Sequence, residues 1–248
     1  LVIIIFLAGL GLDRIISKFS RKVAYLIIFI SLAELTFLSW FYLSKPIPKQ
    51  SFVSESVYQF LKKDVEQFRV FCTTKCLSQK KSAQYGLELL EGYNTIQQMN
   101  YYNEAWQLMG GYWNYYTLSI PPMGLYKFEK LQPDPVSLGA YNVKYIISPH
   151  KLTNAEFVFK ENIGNYFIYQ NKLFLPRAYF WTNDQKPSIK APILQYSPNH
   201  IRVDTSSNKT QRIVLSEVYS PGWVAYLNGK SKVPVQEKPD ALRLVDIK

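Results

Sequence analysis

The sequence has little of what most catalytic centres are built from. It contains two histidines and two cysteines in 248 residues. His150 and His200 lie far along the chain from each other and from Cys72 and Cys76. A Ser-His-Asp triad or a zinc site needs such residues close together, so we predict no catalytic residue and no metal site. A glycine-rich phosphate loop and a Gly-x-Ser-x-Gly turn are also missing from the sequence. A self-contained hydrolase is therefore the function that the sequence favours least.

Long apolar runs are confined to the first 43 residues. Leu1–Leu10 and Val23–Leu43 flank a basic loop at residues 11–22. Val23–Leu43 is long enough to cross a bilayer as a helix, and Leu1–Leu10 is predicted to be the end of a truncated helix. The positive-inside rule places the basic loop in the cytoplasm. We therefore predict a helical hairpin of a multi-pass cell-membrane protein, with the lipid bilayer as a partner and residues after 43 extracytoplasmic.

Glu34 is the one ionisable residue in the second apolar run. A carboxylate near the middle of a bilayer is energetically costly and often functional. Glu34 is therefore a candidate intramembrane polar residue. The alternative is a structural role, in which Glu34 faces other helices of a bundle.

Acidic residues are scarce, with 18 Asp and Glu against 29 Lys and Arg, and the net charge is +11. The four bases and two acids of the predicted hairpin account for +2, which leaves +9 for the remainder. A basic surface attracts anionic lipid headgroups, lipid-linked phosphosugars or anionic envelope polymers. The alternative is that the scattered charges only keep the protein soluble. Nucleic acid is not an expected partner.

The two cysteines and the aromatic residues each allow two interpretations. Cys72 and Cys76 fit a disulfide if a turn separates them, but not if they share one straight strand; we expect the disulfide. Aromatic residues make up 16% of the chain. They bind sugar rings or fill a core, and Gly110-Gly111-Tyr112-Trp113 is either a loop that presents aromatic rings or a helix end followed by a strand. The densest aromatic group consists of Tyr101, Tyr102, Trp106, Tyr112, Trp113, Tyr115 and Tyr116.

Two regions are predicted after a proline-containing linker at residues 44–54. Residues 55–155 show helical spacing and strand patterns typical of an α/β (α+β) region. Residues 156–248 alternate short strand patterns with turn signals, which indicates an antiparallel β-sandwich truncated at its C-terminus. The predicted fold class is a membrane helical hairpin followed by an extracytoplasmic α/β region and a C-terminal antiparallel β-sandwich. The predicted helices are Glu55–Lys63, Thr95–Met109 and Val136–Tyr141, and the predicted strands are Gln67–Thr73, Val143–Ser148, Phe157–Lys160, Tyr166–Gln170, Ala178–Thr182, Ile189–Tyr196, His200–Thr205, Arg212–Tyr219, Trp223–Leu227 and Ala241–Ile247.

Several short strings, in this order, resemble the C-terminal part of the YfhO-like family of bacterial multi-spanning membrane proteins. They include Glu91-Gly92-Tyr93-Asn94, Leu138–Ile147, Leu175-Pro176-Arg177-Ala178 and Pro221-Gly222-Trp223 with Asn228-Gly229-Lys230. That family is similar to GT-C-type glycosyltransferases that use polyprenyl-phosphate sugars. The resemblance implies such a lipid-linked sugar as the donor of a longer parent protein, with no cofactor in this chain. The candidate substrate-binding residues are Tyr93, Tyr112, Trp113 and Arg177.

The resemblance implies that the parent transfers a sugar from a polyprenyl-phosphate carrier to a cell-envelope acceptor. The catalytic carboxylate of such enzymes lies in an early loop, so no catalytic residue is carried over to this chain. The alternative hypothesis is a non-catalytic, extracytoplasmic glycan-binding or assembly module that is anchored in the membrane.

Overall fold

The computed structural model describes residue 11 and residues 21–44, 52–90, 98–109, 131–181, 189–205 and 211–247. The chain divides into two compact units, Leu1–Lys49 and Gln50–Lys248. The helices among the described residues are α1 (Arg21–Leu43), α2 (Glu55–Lys62), α3 (Gln79–Gln84), α4 (Met99–Met109) and α5 (Pro135–Ala140). The strands are β1 (Arg69–Cys72), β2 (Glu88–Leu89), β3 (Val143–Ser148), β4 (Phe157–Ile163), β5 (Tyr166–Asn171), β6 (Ala178–Trp181), β7 (Ile189–Lys190), β8 (Ile193–Ser197), β9 (His200–Val203), β10 (Gln211–Val218), β11 (Val224–Leu227), β12 (Ser231–Glu237) and β13 (Leu242–Ile247).

The predicted membrane helical hairpin is wrong. Within the part of the chain that the structure describes, no helix combines the length and the apolar character that a membrane span requires. Helix α1 begins with Arg21 and Lys22 and carries Ser31, Glu34 and Thr36, and these polar residues reduce its apolar character. The multi-pass membrane localisation and the extracytoplasmic side assigned to residues after 43 were derived from the hairpin and are corrected with it. Leu1–Leu10 lies outside the described residues.

A five-stranded mixed sheet, which we call sheet A, has the strand order β2-β1-β3-β5-β4. Strand β1 pairs in parallel with β2 and β3, and the other neighbours are antiparallel. All six residues of β3 are buried, as expected for a central strand covered on both faces. The sequence suggested that β4 and β5 belong to the second region, but their hydrogen bonds complete sheet A.

A six-stranded antiparallel sheet, sheet B, has the order β11-β12-β13-β10-β6-β7, and β8 and β9 form a separate pair. The turn between β11 and β12 contains Asn228 and Gly229, with φ of 52° and 71°. Two successive residues in the left-handed region are what a type I′ hairpin requires. The Asn-Gly turn therefore fixes the pairing of these two strands at one edge of sheet B.

Two hydrophobic cores lie on the opposite faces of sheet A. Successive side chains of a strand point to opposite faces, so Phe71 packs in one core while Val70 packs in the other. The core that contains Phe71 also holds Tyr179, Val214 and Leu244 from sheet B. The two sheets are therefore joined by one shared core.

The segment that leads from α5 into β3 brings polar groups to the junction of the two sheets. Asp134 caps α5 by accepting a hydrogen bond from the Ser137 backbone N–H at 2.7 Å, and Pro135 occupies the first turn, where its missing N–H costs nothing. After the helix, Asn142 has a φ of 63°, and its amide donates to the Leu175 carbonyl at 2.9 Å. This turn holds the Tyr141 carbonyl where Arg69 reaches it.

Candidate functional site

Two arginines and two glutamates meet where sheet A adjoins sheet B, and we call Arg69, Glu88, Arg177 and Glu217 the seam cluster. Arg69 donates to the backbone carbonyl of Ser216 at 2.6 Å and to Glu217 Oε2 at 3.2 Å. Arg177 donates to Glu88, and its Nε lies 3.3 Å from Glu217 Oε1. The two sheets are therefore connected by ion pairs and hydrogen bonds as well as by their shared core.

Tyr196 of β8 completes the surroundings of the seam cluster. Its hydroxyl donates to Glu217 Oε1 at 2.6 Å, and its ring centroid lies 5.4 Å from the Arg177 guanidinium carbon. Burial, followed by the positive charge of Arg69, lowers the pKa of Arg177. Burial and the hydrogen bond to Glu217 raise the pKa of Tyr196. Each charged group thus has an oppositely charged neighbour, and the cluster as a whole is neutral.

The predicted substrate-binding residue Arg177 is only 3% exposed. Its side chain is held by carboxylates of this chain, Glu88 and Glu217. A ligand would have to displace Glu88, the most exposed member of the cluster, to reach it. The geometry is that of a structural link, and a binding role for Arg177 stays a prediction.

A second group of side chains forms a line across one face of sheet B. Trp181 is directly opposite Arg212, and Arg212 is directly opposite Asp246. The Val235–Val245 pair sets the register that brings Pro234 next to Asp246, and Pro234 is opposite Val224. Directly opposite residues share one face of a sheet. We call these five residues the sheet-B row; it crosses five strands and spans about 19 Å.

The sheet-B row joins an aromatic ring to planar polar groups. Arg212 Nε lies 3.2 Å from Asp246 Oδ1, and the Arg212 guanidinium lies 5.4 Å from the Trp181 ring centroid. The Gln236 amide donates to the other oxygen of Asp246 at 3.1 Å. Lys238 Nζ is also 5.4 Å from the Trp181 ring. The Arg212 side chain is 58% exposed, so the polar part of the row is open to solvent.

The far end of the sheet-B row is the β11–β12 hairpin. Tyr226 is opposite Lys232 and is 59% exposed. Val224, the last member of the row, is also exposed. An exposed tyrosine, an exposed valine and a lysine thus share one face at the edge of sheet B.

The remaining predicted residues are distributed as follows. Tyr93, Tyr112 and Trp113 lie outside the described residues, as do Tyr115 and Tyr116 of the aromatic group. Tyr101 packs against the shared core, and its hydroxyl donates to the Leu90 carbonyl at 3.1 Å. Glu34 is an exposed residue of α1.

The two cysteines are joined. Cys72 and Cys76 form a disulfide with a Cα–Cα separation of 5.8 Å, and both are fully buried. The chain turns after β1, which brings the two residues closer than a straight strand would. In the described ranges, no group of three or more His, Cys, Asp or Glu residues has the arrangement needed to hold a metal ion.

Sequence reasoning missed the sheet-B row because its members come from five strands that are separated along the chain. Strict alternation in β10 could have placed Arg212 on the same face as Val214. It could not have shown that Trp181 and Asp246 pair with Arg212, because strand order is decided by contacts that are distant in sequence. The Asn228-Gly229 pair is a local signal for a hairpin, but the predicted strands include none over β12, which carries Lys232.

No family model, curated protein or solved structure matches this chain. The resemblance to the YfhO-like family therefore stays a prediction that rests on the short strings quoted above.

Proposed function

We propose that this chain is a non-catalytic glycan-binding module that binds its ligand along the sheet-B row. The observation that carries the proposal is the alignment of the half-buried Trp181 with the Arg212–Asp246 pair on one sheet face, where the Arg212 side chain is exposed. An aromatic ring offers an apolar face and edge of defined geometry. The charged planar groups of Arg212 and Asp246 beside it can form strong hydrogen bonds with the hydroxyl groups of a sugar. Sites of this kind combine apolar contact with a few placed polar groups.

The length of the row supports a chain-like ligand over a single small molecule. Its five residues span about 19 Å across five strands, from Trp181, which is half-buried against the shared core, to the exposed Val224. Tyr226 adds an exposed ring at the hairpin end. An extended surface with an aromatic ring near each end suits a polymer that lies across the strands. The predicted transfer of a sugar from a polyprenyl-phosphate donor rests on the family resemblance alone and remains a prediction beside this proposal.

The test is binding to an array of defined glycans by the wild type and by Arg212→Gln and Tyr226→Ala. Each substitution removes a solvent-exposed contact while leaving the sheet core intact, so both variants are expected to fold. We expect Arg212→Gln to weaken binding about tenfold, the value of one hydrogen bond to a charged group. Tyr226→Ala should weaken binding in the same direction.

Phe159→Ala is the matched control for Tyr226→Ala. Phe159 is also an exposed aromatic residue, but it belongs to β4 at the edge of sheet A. We expect this variant to bind as the wild type does. The proposal is overturned if the wild type binds no glycan on the array, or if Phe159→Ala and the two row variants lose binding equally.

A further inference from the structure

Some basic side chains near the sheet-B row are paired with an acidic side chain, and others are not. Arg212 is paired with Asp246, and Lys238 with Asp240 at 2.5 Å. The two cations beside the Trp181 ring are therefore each compensated by an acid. A ligand gains little net electrostatic attraction there, since each cation already has an anion beside it.

The hairpin end differs because its cations have no such compensation. Lys230 and Lys232 are both exposed, and neither forms an ion pair among the residues that the structure describes. The sequence contains no Asp or Glu between Val218 and Gln236. The positive charge of the hairpin is therefore available to an external anion.

Lysines at a sheet edge also have a simple structural use, because they discourage pairing with another sheet. That explanation accounts for charge at the edge, but it does not require an aromatic ring beside it. Here Lys232 is directly opposite the exposed ring of Tyr226. The Tyr226 ring can contact a sugar, and the Lys232 ammonium group can pair with an anionic substituent of that sugar. The two groups thus lie side by side on the same face.

We infer that the glycan bound along the sheet-B row is anionic, and that its carboxylate or phosphate groups lie at Lys230 and Lys232. This inference rests on the proposed glycan-binding function and adds the charge class of the ligand and the residues that select it. Trp181 contacts the ligand irrespective of its charge, whereas the hairpin distinguishes an acidic polymer from a neutral one. Attraction between exposed charges is screened by salt, so the preference for acidic polymers should shrink as ionic strength rises.

The experiment uses two matched pairs of polymers and isothermal titration of the full chain. The carboxylate pair is polygalacturonate and its fully methyl-esterified form. The phosphate pair is a phosphorylated mannan and the same mannan after dephosphorylation. Within each pair the sugar backbone is constant and only the charge changes, and the two pairs show which anion is preferred.

We expect the wild type to bind at least one charged polymer about tenfold more tightly than its neutral partner, the effect of two exposed charge contacts. The double variant Lys230→Gln/Lys232→Gln should abolish this preference, so that the charged and neutral members of a pair bind with equal affinity. Lys151→Gln/Lys160→Gln removes the same charge from exposed sites away from the hairpin and should retain the preference.

The two proposals fail in different ways. Equal affinity for both members of each pair, with no effect of Lys230→Gln/Lys232→Gln, would contradict the charge inference and leave glycan binding intact. Equal loss of the preference in the hairpin and control variants would also contradict it, because net charge alone would then explain the result. Absence of binding to all four polymers would count against the proposed function itself.

Discussion

Arg177 is a buried cation that compensates the negative charge of two neighbouring carboxylates. It contacts Glu88 and Glu217 from sheet B's side of the seam, and it is 3% exposed. Removing one partner of a buried ion pair leaves the other charge uncompensated. We expect Arg177→Met to lower the free energy of unfolding by about 3–5 kcal/mol, measured by urea unfolding.

Arg212→Met is the control, because Arg212 is also an arginine with a carboxylate partner but is largely exposed. An exposed ion pair contributes about 0–1 kcal/mol, so this variant should unfold nearly as the wild type does. If both variants lose the same stability, or if Arg177→Met loses less than the control, then the seam cluster is not the structural link described here.

Gly139 lies where α5 approaches the backbone before β6. A Cβ atom at this position would overlap the carbonyl oxygen of Leu173, and the Gly139 carbonyl accepts from the Leu175 N–H at 3.2 Å. Backbone cannot move aside as a side chain can, so Gly139→Ala should cost at least about 1–3 kcal/mol of stability. Val136→Ala, at an exposed position of the same helix, should change thermal unfolding little. A Gly139→Ala protein that melts with the wild type would show that this close approach is absent.

At the scale of elements, the disulfide closes the turn that follows β1. Cys72 and Cys76 enclose a five-residue loop, for which the chain-entropy relation gives about 2 kcal/mol of stabilisation. We expect a reducing agent to lower the free energy of unfolding by about that amount. A Cys72→Ala/Cys76→Ala protein should be equally destabilised and should not respond to the reducing agent. A full response of the double variant would show that the reductant acts elsewhere.

Ion pairs link the turn after α2 to strand β3. Lys144 of β3 contacts Asp64 and lies 2.6 Å from Glu66, while the Tyr145 hydroxyl donates to Asp64 at 2.9 Å. Burial alone would raise the pKa of Asp64, but the hydrogen bonds from Lys144, the Glu66 N–H and Tyr145 together lower it below its ordinary 3.8. The hydrogen bonds to Asp64 and Glu66 outweigh burial at Lys144 and raise its pKa above 10.5.

The signs of these shifts predict how stability depends on pH. A lowered carboxyl pKa contributes stability that is present above pH 3.8 and is lost as pH falls through the folded-state value. A raised lysine pKa contributes stability that is present below pH 10.5 and is lost as pH rises further. Asp64→Asn should therefore flatten the acid side of a urea-unfolding profile. An unchanged acid slope in that variant would show that Asp64 does not carry the dependence.

Local patterns predicted most individual strands because the evidence for a strand is local. Val143–Ser148 has the predicted bounds of β3, and the predicted Gln67–Thr73 contains β1. Alternation and β-branched residues suffice for such segments. No comparable local signal marks β2, which is two residues long. Nor did it indicate that β4 and β5 pair with β3, because that choice depends on which apolar faces meet in three dimensions.

At the scale of the whole molecule, the candidate sites were harder to predict than the elements that carry them. Arg177 was singled out from a short string, yet its partner Glu88 is 89 residues away along the chain. Trp181 and Asp246 meet Arg212 only through the strand order of sheet B. The predicted membrane hairpin is wrong for the opposite reason: it rests on one local property, apolar length, whereas a membrane span also depends on the polar residues that α1 carries.

The compact unit Gln50–Lys248 contains both hydrophobic cores. Every buried member of these cores lies between Val53 and Leu244, and the seam cluster and the sheet-B row fall within the same unit. A segment that holds its own core can fold independently.

We expect a protein consisting of residues 50–248 to show a near-UV circular dichroism spectrum typical of packed tyrosine and tryptophan. It should also unfold in urea with a single transition, because sheets A and B share one core. Arg177→Met in this shorter protein should shift the midpoint as it does in the full chain, and Arg212→Met should not. Two separate transitions would mean that the sheets fold independently despite their common core, and loss of the near-UV signal would mean that residues 1–49 are needed for that core to pack.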